Sequence, residues 1–181
     1  MAYLFLVKRL AIPAIAGLVF SMLPLHAQGP SILGWQDGVR LSWTDFQGRP
    51  HADAPGFQGA ESSLAVSIQL SCTNDVPDLE VRAEFNRDLS WARPDMPASL
   101  LQHEQIHFDI AELYVRQTER QFSRIADPCN NVDRVEALSD RNNAAMMAEH
   151  ETYDQETFHG TRATPQANWT RRVNLLLRAT D

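Results

Sequence analysis

Beyond Lys8 the chain has no lysine, so every later cation is an arginine. It has only two cysteines, Cys72 and Cys129, and neither belongs to a C-x-x-C pair. No internal repeat is visible, and only one long apolar run occurs, from Leu10 to Leu25. With 16 basic against 23 acidic residues the formal charge is -7. An acidic chain without a basic stripe is a poor binder of nucleic acid or anionic lipid, which are held largely by counterion release. Lone cysteines argue against a zinc site built on thiolates. Without repeats, no second domain is required.

The one apolar run is short for a bilayer span and is broken by Pro13 and Pro24. Lys8 and Arg9 precede it, and "LHA" closes it before the polar Gln28. That layout predicts a signal peptide over residues 1–27 and export, with residues 28–181 forming one domain and no stable membrane insertion once the leader is removed. Loss of the leader removes two cations and brings the formal charge from -7 to -9. Export places the protein in the periplasm or outside the cell, where an oxidising environment favours a Cys72–Cys129 disulfide. The bridge would close a loop of 57 residues, worth about 4 kcal/mol on the chain-entropy model.

From Ser31 to about Phe85 the chain alternates apolar and polar residues in "VRLSW" (39–43), "SSLAVSIQLSC" (62–72) and "LEVRAEF" (79–85). Period-two runs separated by Gly, Pro and Asn/Asp clusters predict half-buried antiparallel strands. After "SWARPDMP" (90–97) the pattern becomes helical. Asp95 is a fair N-cap and Pro97 suits a first turn, and apolar residues then recur at helical spacing to about Ile125. "ADPCNN" (126–131) reads as a turn, followed by a helix from about Val132 to Phe158 that ends near Gly160, and by a last helix from about Gln166 to Arg178. The predicted fold is therefore α+β, a small antiparallel sheet followed by a long helical hairpin.

The first long helix carries "HEQIH", with His103 and His107 four residues apart and Glu104 after the first. On a helix, i and i+4 share a face one turn apart, so both imidazoles can reach one ion. Zinc accepts nitrogen ligands at about 2.0–2.1 Å, and Glu104 beside the first ligand can take a proton from water attacking a carbonyl and pass it to the leaving amine. With 6 His and 10 Glu in the chain, an H-E-x-x-H arises by chance about once in 100 such compositions. Catalytic zinc needs a third protein ligand, but the extension H-x-x-G-x-x-H is absent, since Ile110 and Leu113 stand at its glycine and last histidine.

Ligand-type residues cluster in "HETYDQETFHG" (150–160). A hairpin turning near Pro128 sets residue 105 opposite about residue 151, because each arm advances 1.5 Å per residue. Asp154 then lies near the level of the histidines and His159 about a turn beyond, and Tyr153 is placed to donate to a developing oxyanion. Glu149, Glu151 and Glu156 read as a solvated face and His150 as a surface residue, since such side chains are mostly exposed. His51, in a Pro/Gly-rich loop, is expected to take no part in metal binding. Asn168 in "NWT" is a glycosylation triplet without meaning outside a eukaryotic secretory route.

"LLQHEQIHFDIAELYVRQ", then "YDQETFHG", then Gln166 and Trp169, with "LSWTDFQGRP" near the start and Ser90–Trp91 before the helix, resemble a bacterial family described as predicted secreted zinc-dependent proteases and otherwise as a domain of unknown function. The resemblance spans nearly all of the chain after the leader. It implies a zincin-like metallopeptidase with His103 and His107 as metal ligands, Glu104 as the catalytic glutamate and His159 as the third ligand. Asp154 and Glu156 match the other acidic positions of the second segment. Asp109 matches the aspartate of the H-F-D extension, with either a supporting or a direct role. The expectation is thus a Zn²⁺ peptidase acting on a peptide or protein, with His103, His107 and His159 on the metal, Asp154 as the alternative ligand and "LEVRAEF" as the strand receiving the substrate backbone. The rival is a non-catalytic, zinc-stabilised cell-envelope binding module, which would close the site with a fourth protein ligand.

Overall fold

A computed structural model describes residues 31–56 and 58–180; the leader expected over residues 1–27 lies outside them. Among the described residues no helix is long and apolar enough to cross a membrane. The order is β1 (Ile32–Gly34), β2 (Ala60–Glu61), β3 (Leu64–Thr73), β4 (Val76–Asn86), β5 (Trp91–Ala92), α1 (Ala98–Phe122), α2 (Val132–Thr157) and α3 (Ala163–Ala179). An antiparallel sheet of order β1-β4-β3 and a short β2-β5 pair precede the three helices, which is the α+β arrangement expected.

The β3–β4 hairpin turns on Asn74 and Asp75, both left-handed at φ 52° and 62°, as a two-residue turn matched to strand twist requires. Its register sets Leu64, Val66 and Ile68 opposite Phe85, Ala83 and Val81, so the alternating apolar residues of both strands share one face. Phe108, Ala111 and Val115 of α1 close over that face. Burial of Phe85 and Phe108, 0% and 2% exposed, stabilises the fold by about 2–3 kcal/mol each. A second cluster joins Ile106 and Ile110 of α1 to Tyr153 of α2 and to Trp169, Val173 and Leu177 of α3. With apolar partners on two sides, α1 is buried without interruption from His103 to Ala111. Cys72 and Cys129 are bonded with Cα atoms 5.9 Å apart, tying the tip of β3 to the α1–α2 turn.

Four local expectations are corrected. "VRLSW" is not a strand: Leu41 is buried, but its N–H donates to the Gln105 side chain, and Trp43–Asp45 form a 3₁₀ turn closed by Ser42 and Asp45. The alternation there records burial of side chains, not pairing of backbones. Asp95 is not the α1 cap; it sits in a turn at φ 59°, and Pro97 is the cap residue. The last helix starts at Ala163 rather than Gln166, because Pro165 falls in its first turn, where the missing N–H costs nothing. "LEVRAEF" lies in β4, the middle strand, so it does not border the cleft described next.

Candidate metal centre

The α1–α2 hairpin brings His107 to His150 and His103 to Asp154, within about a residue of the register expected from helical rise. His103 Nε2 and His107 Nε2 are 3.2 Å apart, and each lies 3.0 Å from Asp154 Oδ1. Three donors about 2.0–2.1 Å from a tetrahedral zinc would be about 3.3–3.4 Å apart, so the triangle fits with little adjustment. Among the described residues this is the group of three able to hold a metal ion. His159 stands outside it, half exposed, with Nδ1 3.5 Å from Asp154 Oδ1.

The chemistry of the donors also fits a cation. The Nδ1–H of His103 donates to Gln166 Oε1 at 3.1 Å, while Gln166 Nε2 donates to the Tyr153 hydroxyl at 2.6 Å. With Nδ1 engaged there, Nε2 is the His103 ring nitrogen that faces Asp154. Two imidazole nitrogens and a carboxylate oxygen converge, and a shared cation satisfies all of them at once. Burial alone would raise the Asp154 pKa, but hydrogen bonds from His103 and His107 and their charge hold it well below the usual carboxylate range. Burial opposes charge on His107 as well, but its hydrogen bond to Asp154 and the nearby carboxylates of Asp154 and Glu104 raise its pKa.

Behind the triangle the chain is shaped to support it. After α2, Phe158, His159 and Gly160 are all left-handed, at φ 48°, 51° and 77°. This reversal sets Gly160 against His103 and lets α3 deliver Gln166. A β-carbon on Gly160 would come 2.8 Å from His103 Cβ. Gly160→Ala is therefore expected to destabilise the protein by about 2 kcal/mol or more through the left-handed backbone and the clash. A melting temperature lower by about 4–8 °C in a thermal scan checks this.

His150, expected on the surface, is half-buried by the hairpin. Its Nδ1 lies 3.0 Å from His107 Nδ1, and its Nε2 is buried without a partner. Burial, then repulsion from His107, pushes its pKa down to about 3. A histidine depressed in the folded state binds its proton preferentially when unfolded, so it costs stability as pH falls below about 6.5. The raised His107 gives its stability in full below about 6.5, and the lowered Asp154 gives its own above about 3.8. Between those limits His150 sets the trend of the three. Metal-free protein should lose about 3 kcal/mol from pH 7 to pH 4 through this group, and urea titrations of His150→Gln should show that loss removed.

Glu104 is 4% exposed and accepts a 2.6 Å hydrogen bond from Ser62 Oγ, between β2 and β3. Glu104, His103, His107 and Asp154 line one cleft of about 1450 Å³, walled by residues 58–64, the start of α1, the end of α2 and α3. The chain beside the site is thus residues 60–64, from β2 through Ser62 and Ser63 to the start of β3, and not β4. His51 also lines this cleft, bonded to Asp53 and Glu61 at 2.8 and 3.0 Å. The hydrogen bond to Asp53, then that to Glu61, raises its pKa.

Other expectations fare unevenly. Tyr153 is fully buried and its hydroxyl is engaged by Gln166 and the His103 carbonyl, so it orients His103, on which its ring stacks at 4.5 Å. It is not placed to meet an oxyanion. Glu149 is half-buried and accepts from Tyr114 and Arg172, whereas Glu151 and Glu156 are exposed as expected, Glu156 also accepting from Trp169. Asp109 has a structural role, accepting from Trp35 and Gln105 at 2.8 Å each. Residue chemistry in the sequence marks neither Ser62 nor Gln166 as a site residue; only the family resemblance, through Gln166 and Trp169, points to the second.

A family model described as "Bacterial protein of unknown function (DUF922)" matches residues 33–160. No curated protein and no solved structure matches the chain.

Proposed function

This chain belongs to the bacterial family DUF922, whose function is unknown, and we propose that it is an exported, zinc-dependent peptidase. The observation that carries the proposal is the convergence of His103, His107 and Asp154 beside the buried carboxylate of Glu104, at the floor of a cleft large enough for a peptide.

His103, His107 and Asp154 would hold the metal, the alternative ligand raised by the sequence taking the place expected for His159. His159 would instead sit beside Asp154 at the rim. A zinc ion bound there would supply Lewis acidity to polarise a carbonyl and to make water a nucleophile near neutral pH. Glu104 accepts the proton of the attacking water and returns it to the departing amine, as a general base and then acid. Ser62 fixes one of its two oxygens and leaves the other for that transfer. Gln166 and Tyr153 hold the His103 ring in one tautomer, as supporting partners of metal-bound histidines do. Three protein donors rather than four favour a catalytic over a closed structural site. The disulfide supports an oxidising compartment. The test is digestion of an unbiased peptide library at matched zinc content, with wild type beside Glu104→Gln.

A further inference from the structure

Every methionine beyond Pro30 borders the metal-site cleft: Met96 before α1, and Met146 and Met147 on α2. Eight large apolar side chains are exposed among the described residues, and the two that line the cleft are Met147 and Phe158, at 41% and 59%. Met147, His150, Asp154 and Phe158 recur at steps of three and four residues, so they follow one face of α2 and its cap. Asp154 is therefore flanked by apolar side chains, one about 10 Å before it and one about 6 Å after it along the axis. Met96 and Leu100 line the same cleft.

Phe158 is the informative residue. Its backbone is left-handed, φ 48° and ψ 58°, a conformation that bulky residues rarely adopt. Its ring is mostly in solvent, with Arg162 5.4 Å from the centroid, so core packing does not explain its presence. Asparagine would suit this backbone better. A strained, exposed aromatic at the rim of a polar site points to a ligand that covers it.

We propose that the cleft grips an extended peptide by large apolar side chains, one against Met147 and one against Phe158, on either side of the metal triangle. Methionine is unbranched and polarizable and adapts to irregular partners, so the preference is for a class, large apolar residues, and not for one side chain. As a statement about substrate, this rests on the peptidase assignment.

The test uses the full chain carrying Glu104→Gln and two blocked peptides of equal length, one with Leu and Phe at its centre and one with Ser and Gln. By calorimetry the apolar peptide should bind at least about tenfold more tightly. Adding Phe158→Asn or Met147→Gln should remove about tenfold of that affinity and leave the polar peptide unchanged. Phe158→Asn should also raise the melting temperature, because it relieves the backbone. Equal binding of the two peptides overturns the proposal, as does a Phe158→Asn variant that melts lower and binds as before. If discrimination holds but wild type cleaves neither peptide, the peptidase assignment fails and the apolar groove stands. If wild type cleaves both equally well, the groove fails and the peptidase stands.

Discussion

Glu104→Gln is expected to lower kcat on a peptide substrate by about 10²–10⁴ while leaving zinc content and folding intact. That range is the usual contribution of a positioned acid–base group, about 3–5 kcal/mol of barrier. The exchange is isosteric, so the 4% exposed side chain keeps its volume and Ser62 keeps an oxygen to donate to. Glutamine cannot accept a proton from water, however, so the chemical step loses its base. The triangle of His103, His107 and Asp154 does not include Glu104, which is why zinc content should not follow the rate. Steady-state kinetics at matched zinc checks this, and a variant as fast as wild type would remove Glu104 from the chemistry.

Much of this arrangement was legible in the sequence. The apolar spacing of α1 has no Gly or Pro to interrupt it, and helical rise then determines which residues of α2 face it. That is why the expected pairing of 105 with 151 lies so close to the observed His107–His150 contact. Strand reading was weaker where alternation had another cause: Leu41 alternates because it is buried, while its amide is taken by Gln105. Least legible were the neutral supports. Ser62 and Gln166 act through single hydrogen bonds, and serines and glutamines occur everywhere for other reasons. His150 reads as a surface residue because such side chains are mostly exposed, and only hairpin packing buries it. The left-handed turn at Phe158 and His159 has no signature in residue type, and it decides that Asp154, still within α2, reaches the histidines more closely than His159.

Asp154→Ala is the second large effect expected. Without the carboxylate, two imidazoles 3.2 Å apart lose the one anion of the triangle, and the site falls to two ligands where zinc needs at least three from the protein. The affinity loss should exceed the 10–100-fold typical of a lost supporting group. His159→Ala removes only a neighbour of Asp154 at 3.5 Å, and its loss should stay within that range. Elemental analysis of the purified, dialysed full-length chain separates these outcomes. About one zinc per chain is expected in wild type and in His159→Ala, and none in Asp154→Ala. Wild type free of zinc, or Asp154→Ala holding as much as wild type, would contradict this zinc site.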